Sequence, residues 1–462
     1  MGGKVMRNKK RYWALGLTAC MLASVMAGCG SGGGSDSKGS SEGNTDKGAE
    51  ADAGGTSSDK EVKLTMLGWE IYQQAGMEAL AKAYHEQHPN VTIDVQISTW
   101  SEYWTKLEAM ANSNSLPDIF WMHTNEFSKY AEAGILADLT DLYDEGKEYY
   151  TNNFAENLVQ NFTYEDKVYG VPKDVDTVAL VYNKDIFDEA GVSYPDDTWT
   201  WDTLVEASQT IHDKTGKYGI MADHNEQEGW LNTIYQAGGF YVNEDKTKAG
   251  FEDPGTQKGL KEYMDWQLAY DFSPNQSELS DLGKAERFFA GEGAMMYFGS
   301  WGINNLYINY PDLNWDVAVL PKCPDPVKGD GRASISNGLA YSTAADNPNL
   351  DVVKDVLKFL GTEEAAIIHG ENGAAIPAFN GTGESWSKNY EGKNVQAYVD
   401  QLEYSVQYPY SKTKSTWFPE VEATLLEVYS GNMSFEDACK QCQQQVDESL
   451  ATDCLLYTSR CV

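Results

Sequence analysis

The chain has 462 residues, with 70 acidic and 35 basic side chains and a formal net charge of −35. That balance, without basic clusters or aromatic–basic stripes, excludes nucleic acid as a partner, because phosphate binding is carried by grouped Lys and Arg. The acidity suits plain solubility at a surface.

In chain order, Lys4, Arg7, Lys9, Lys10 and Arg11 form a basic n-region, and Tyr12 to Met26 an apolar h-region. Small residues Ala27 and Gly28 then precede Cys29. Residues 1–28 read as a secretory signal, too short and wrongly flanked for a stable span. The run from Val25 to Cys29 resembles a bacterial lipobox, with Met26 where Leu is usual. The motif implies that the Cys29 thiol takes a diacylglyceryl group and becomes the new N-terminus, an anchor that needs more than one acyl chain. Residues 29–60 are Gly, Ser, Asp and Glu rich and hold no aromatic side chain. They cannot bury enough apolar surface to offset chain entropy, so they read as a disordered tether.

The globular part, from about Glu61, exceeds what one core usually serves, so two lobes are expected. Val62 to Leu67 alternates apolar and polar residues, a strand; Met77 to His88 has helical spacing and stops at Pro89. Strand Val91–Ile97, helix Tyr103–Asn112 and strand Asp118–Met122 follow. The alternation resumes with strand Thr177–Tyr182 and helix Trp201–Lys214, capped by Thr200 or Asp202. Later come strand Ala294–Phe298, helix Val352–Leu360 and a mainly helical region from Pro419. Strands alternating with helices imply parallel α/β sheets. Cys439 and Cys442 form a C-x-x-C in a helical stretch; Cys323 stands alone. Without a second pair or a βαβ setting, neither a redox nor a metal site is expected, and no cofactor. Residues 452–462 break the helical pattern and read as an assembly or frame artefact.

Several blocks occur in a characteristic order. They are Leu116 to Trp121 with Tyr130 to Leu139; Tyr169 to Asp174 running into Leu180 to Asp185; Thr200 to Leu204; Phe289 to Met296 with Gly299 to Trp301; Ser336 to Ala340; and Trp417 to Pro419. Together they resemble the extracellular solute-binding lipoproteins of carbohydrate ABC importers, the maltose-binding-protein type (family 1), over about 61–451. The resemblance implies a two-lobe periplasmic-binding-protein-like α/β fold, each lobe a mainly parallel sheet flanked by helices, joined at a hinge. The lobes would be built from 61–172 and 322–377 for the first, and from 173–321 and the helical 378–451 for the second. It further implies high-affinity binding of a mono- or oligosaccharide by hinge closure, and delivery to membrane permease subunits. The protein is then a lipid-anchored monomer on the extracellular face of the membrane, and not an enzyme.

Sugars present C–H faces and hydroxyls, which call for aromatic faces beside fixed carboxylates and amides. Ligands of such sheets sit outside the carboxyl ends of the strands. Trp69 and Glu70 follow the first strand, Trp121 and His123 the third, and Trp301 the strand ending at Phe298. Trp230 and Trp417 match positions where similar proteins present a stacking aromatic. Asp174 at the crossing and Asn337 complete the expected ligand set; Trp100 and Trp104 are rim candidates. Two readings stand beside this one. A surface glycoside hydrolase would need two carboxylates across a cleft. A binder of a non-sugar solute, such as a peptide or polyamine, would not need several cleft tryptophans. No Walker-type loop or H-E-x-x-H occurs, and no G-x-S-x-G within the globular part from about Glu61.

Overall fold

The computed structural model describes residues 60–458 apart from Ala374 and Lys412, with side chains described as far as Thr452. The signal, Cys29 and the tether lie outside the described residues. The strands are β1 (Val62–Trp69), β2 (Val91–Ser98), β3 (Ile119–His123), β4 (Thr163–Tyr164), β5 (Lys167–Val168), β6 (Val171–Asp176), β7 (Val178–Asn183), β8 (Tyr218–Ile220), β9 (Gly293–Gly299), β10 (Trp315–Ala318), β11 (Ser334–Ser342), β12 (Ile376–Pro377) and β13 (Ser405–Gln407).

Local chemistry explains where these elements start. The Thr99 hydroxyl accepts from the Glu102 N–H at 3.4 Å and opens helix Trp100–Asn112. The Thr200 hydroxyl accepts from the Thr203 N–H at 3.3 Å and opens helix Trp201–Thr215. Each satisfies a donor left over at a helix start. Asp118 ties β1 to the loop before β3, accepting from the Thr65 N–H and hydroxyl at 2.9 and 3.0 Å.

Two larger sheets form two lobes. The first runs β12-β6-β11-β3-β1-β2, with β13 on β11; the second runs β10-β7-β9-β8. β1 is parallel to β2 and β3, whereas β11 is antiparallel to β3 and β6. β7 is antiparallel to β9 and β10, and only β8 on β9 is parallel there. The expected parallel pairing therefore holds for the opening three strands, and both sheets are mixed. Two helices, Lys184–Ala190 and Trp201–Thr215, separate β7 from β8, so the chain returns reversed. β11 arrives from the other lobe, which also reverses its direction.

The first core joins Leu67, Met77, Leu107, Phe120 and Leu357; the second joins Leu180, Leu204, Trp230, Leu260 and Trp417. Burying each such side chain contributes about 1.5–3 kcal/mol. The chain passes from the first sheet to the second at Thr177, between β6 and β7. Ser334 pins this crossing to the next: its hydroxyl donates to the Val178 carbonyl at 2.8 Å and accepts from the Val178 N–H at 2.9 Å. Thr177 Oγ1 donates to the Tyr398 carbonyl at 2.7 Å, tying in the helical segment after β12. That segment packs Trp386, Tyr390 and Tyr398 against Phe298 and Trp315 of the second lobe.

The C-terminal helices span Lys414–Tyr429 and Phe435–Thr458. The second runs on through residues where the sequence pattern suggested a break. Cys439 and Cys442 lie on its buried face as free thiols, and burial pushes the Cys439 thiol up to about 12 and Cys442 higher still. Such thiols pack as small apolar groups and are inert.

Candidate binding site

A cleft of about 320 Å³ opens between the lobes, lined by Trp69, Glu70, Gln73, Trp100, His123, Asp176, Gln227, Trp301, Asn337 and Leu339. Trp69, His123 and Asp176 are the last residues of β1, β3 and β6, and Trp301 follows β9 by two residues. The cleft thus sits at carboxyl strand ends, where open α/β sheets leave a crevice. The second lobe contributes Trp301 and Gln227.

The first wall is aromatic. Trp69 is only 5% exposed and sits edge-on to Trp100, Tyr103 and Trp121, with ring centroids 5.2, 4.8 and 5.1 Å away. Trp100 is 43% exposed and offers the open ring of this cluster. Edge-to-face packing of this kind holds the rings rigid before any ligand arrives. Opposite, Trp301 is half-buried and lies against Gly299. A Cβ at that glycine would stand 2.3 Å from the ring, so only glycine permits the placement.

The polar groups are fixed from behind. Asn337 Nδ2 lies 2.6 Å from His123 Nε2, and the Asn125 N–H donates to His123 Nδ1 at 3.1 Å. Burial, with the Lys414 charge adding to it, pushes His123 down to about 3, so the ring is neutral. The Ser300 hydroxyl donates to Asp176 Oδ1 at 2.6 Å, a bond between the lobes. Burial first, then the neighbouring Asp174 charge, raises Asp176 to about 7. Lys173 Nζ donates to Gln73 Oε1 at 2.8 Å and to Asp174, and lies 3.9 Å from the centre of the Trp121 ring.

Trp69, Glu70, His123, Trp301 and Asn337 meet at this cleft. Four expected contacts are placed elsewhere. Trp121 is fully buried one alternate step before His123, under Gly68. Asp174 is likewise one alternate step before Asp176; it is buried and accepts from the Leu339 N–H at 3.1 Å. Trp230 lies in the second core against Tyr241, with centroids 5.3 Å apart. The preceding Gly229 takes φ −148°, ψ −119°, which breaks the helical turn and lets Gln227 line the cleft instead. Trp417 is buried because its helix starts at Lys414, not Pro419; its indole N–H donates to Ser411 Oγ at 2.9 Å. Asp176, Gln73, Gln227 and Leu339 were not foreseen. The period-two spacing from Asp174 along β6 was a usable signal for Asp176; the two glutamines carry none.

Two lobes with a polar and aromatic cleft between them define a binding protein. The comparisons identify its family: the chain belongs to the bacterial extracellular solute-binding proteins, whose model matches residues 68–367. A binding protein of Brucella abortus is 24% identical over 60% of this chain; the match spans 66% of that relative's length, just under two thirds. The lactose-binding protein of Rhizobium radiobacter is 31% identical over 64% of this chain and 69% of its own. Among solved structures, an ABC substrate-binding protein of Listeria monocytogenes in complex with cycloalternan superposes with a TM-score of 0.74. It is 24% identical and covers 85% of this chain and 100% of its own, which establishes the shared two-lobe fold. No helix among the described residues is long and apolar enough to cross a membrane.

Proposed function

We propose that this protein captures a mono- or oligosaccharide between its lobes and delivers it to the permease of an ABC importer. The observation that carries the reading is the pairing of Trp69 and Trp100 on one wall with Trp301 on the other, around the hydrogen-bonded side chains of Gln73, His123, Asp176 and Asn337 and the free ends of Glu70 and Gln227. Rings stack on the C–H faces of a sugar, and the polar groups take its hydroxyls. The lactose-binding relative and the cycloalternan complex support a carbohydrate as cargo. Binding proceeds without chemistry, as befits a family of solute binders. The permease reads the closed form. The lipobox-like run at Cys29 supports a lipid anchor on the extracellular face, with residues 30–60 as tether and the chain acting as a monomer.

Thermal shift against mono- and oligosaccharides tests the cargo: a ligand at 100 times Kd adds about 2.7 kcal/mol. A panel of sugars that leaves the melting temperature unmoved, with a peptide or polyamine raising it, overturns the reading. Recovery of cleaved sugar after long incubation with stoichiometric protein establishes a hydrolase instead. Cys29→Ser releases the protein from the membrane fraction if the anchor is real.

A further inference from the structure

We propose that the cleft selects its sugar by charge: it takes neutral rings and, in preference, rings bearing a free protonated amine, and it rejects uronic, sulfated and phosphorylated sugars. The inference rests on the sugar-binding reading above and adds a chemical class to it.

Two carboxylates line the cleft, Glu70 and Asp176, and no Lys or Arg is among its lining residues. Three buried lysines outside the lining are already paired. Lys173 is wholly buried and bound to Asp174 and Gln73. Lys414 pairs with Glu226 at 2.9 Å, and Lys284 with Asp223 and Glu228 at 2.9 and 3.1 Å. Each of these charges is set behind the wall beside a carboxylate, although the Lys414 charge still acts on His123 and the Lys173 charge on Asp176. What a ligand meets is neutral amides and indoles with two carboxylates, and in their ionised form these carboxylates repel a second negative charge.

The backbone points the same way. Glu70 has φ 67° and ψ 106°, a conformation that non-glycine residues avoid. Strain of this kind persists where the surroundings impose it, and it clusters at ligand clamps. Here it sits at the turn between β1 and the short helical turn Ile71–Gln73, with Glu70 on the cleft. Among the described residues the Glu70 carboxylate has no hydrogen-bonded or ion-pair partner, and burial raises its pKa. Asp176, by contrast, is held by Ser300 across the lobes at 2.6 Å. One carboxylate is thus locked at the floor and the other stands at the rim. A ring ammonium in reach of both can donate a charge-assisted bond to each carboxylate, whereas a sugar hydroxyl, with one proton, donates to only one of them. A carboxylate or sulfate finds no Lys or Arg among the described lining residues.

The test is a thermal-shift and calorimetry panel on the full chain with three matched sets of disaccharides. They are neutral (lactose, maltose, cellobiose), unacylated amino (the glucosamine dimer, galactosamine counterparts) and uronic (the galacturonate dimer, cellobiouronate). The expected order is amino, then neutral, with acidic sugars at least about tenfold weaker than their neutral counterparts. Glu70→Gln, at an exposed position, should abolish the preference for amines and narrow the gap to acidic sugars; Asp176→Asn should do the same and also weaken neutral sugars. An acidic sugar that binds as tightly as its neutral counterpart overturns the proposal and leaves sugar binding intact. So does an unchanged charge preference in Glu70→Gln. A panel in which no sugar of any class shifts the protein overturns the sugar reading, and this proposal with it.

Discussion

Trp301 and Trp230 are the same residue type in the same lobe, and their surroundings assign them opposite work. Trp301 is half-buried on the cleft, so Trp301→Ala removes one stacking face. Affinity for a bound sugar should fall by about 1–3 kcal/mol, while ligand-free stability changes little. Trp230 is 1% exposed in the second core, and Trp230→Ala should cost about 3–5 kcal/mol of stability through the cavity it leaves. Calorimetry and chemical denaturation on the two variants separate the roles; a Trp301→Ala protein that loses several kcal/mol of stability and keeps its affinity would place that ring in the core. The buried histidines supply a pH signature. Burial is the first cause at all three: His123 is pushed down to about 3, His224 to about 4, and His369 well below its ordinary value. The unfolded chain then binds protons below about pH 6.5 that the folded chain refuses, so stability is lost as pH falls from 6.5 toward 4. At pH 5 His123 and His224 each contribute a loss on the order of 2 kcal/mol, and His369 acts in the same direction. Asp176 works the other way: with a folded value near 7, it favours the folded chain as pH falls from 7 toward 4. Burial likewise raises Glu70, Glu126, Glu226, Glu262 and Glu422, which work in the same direction as Asp176. The histidine contribution is therefore read by difference: between pH 6.5 and 4.5 the melting temperature of His369→Gln should fall less, or rise more, than that of the parent. A His369→Gln protein whose slope matches the parent's would show that this ring is protonated in the folded state.

At the scale of elements, strand ends decide what reaches the ligand. Alternation identified β1, and with it Trp69 and Glu70 beyond the last apolar pair. The same pattern did not say where β3 and β6 end, so Trp121 and Asp174 were expected two residues too early; each faces the same side as the true end residue but lies one step down the strand. Helix register was the other gap. A helix entered at Lys414 rather than Pro419 turns Trp417 inward, and neither propensity nor the proline marks that start. The irregular turn at Gly229 is invisible to any periodicity, because its φ and ψ belong to no regular element. Motif order therefore carried the fold further than it carried the site. The Gly299 to Trp301 turn is a case in which element geometry makes a direct prediction. Gly299→Ala drives a Cβ into the indole at 2.3 Å, and the ring sits at the cleft where it can swing away. Sugar affinity should fall about as far as in Trp301→Ala with a smaller change in fold stability than a core substitution makes; unchanged affinity would mean that the ring tolerates displacement and contributes no stacking.

For the whole molecule, the question is what separates the open and closed forms. Two direct links cross the cleft mouth: Asn304 Nδ2 donates to the Tyr72 carbonyl, and Asn309 Nδ2 to the Tyr72 hydroxyl, each at 3.4 Å. Bonds of that length are weak, on the order of 0.5–1 kcal/mol each. The Ser300 to Asp176 bond lies deeper and is shorter. The protein's own contacts thus bias the lobes only modestly toward each other, and a sugar touching Trp100 and Trp301 at once must supply the rest. A ligand shifts such an equilibrium only by its difference in affinity for the two forms. Tyr72→Phe removes one mouth bond without disturbing the core, since the side chain is only partly buried. It should weaken sugar affinity no more than about fivefold, and scattering should still show the radius of gyration falling when sugar is added. Asp176→Asn, which alters the deep link, should weaken affinity more than Tyr72→Phe does. If Tyr72→Phe instead abolishes compaction while sugar still binds, then the mouth contacts hold the lobes together, and the sugar is gripped by one lobe alone.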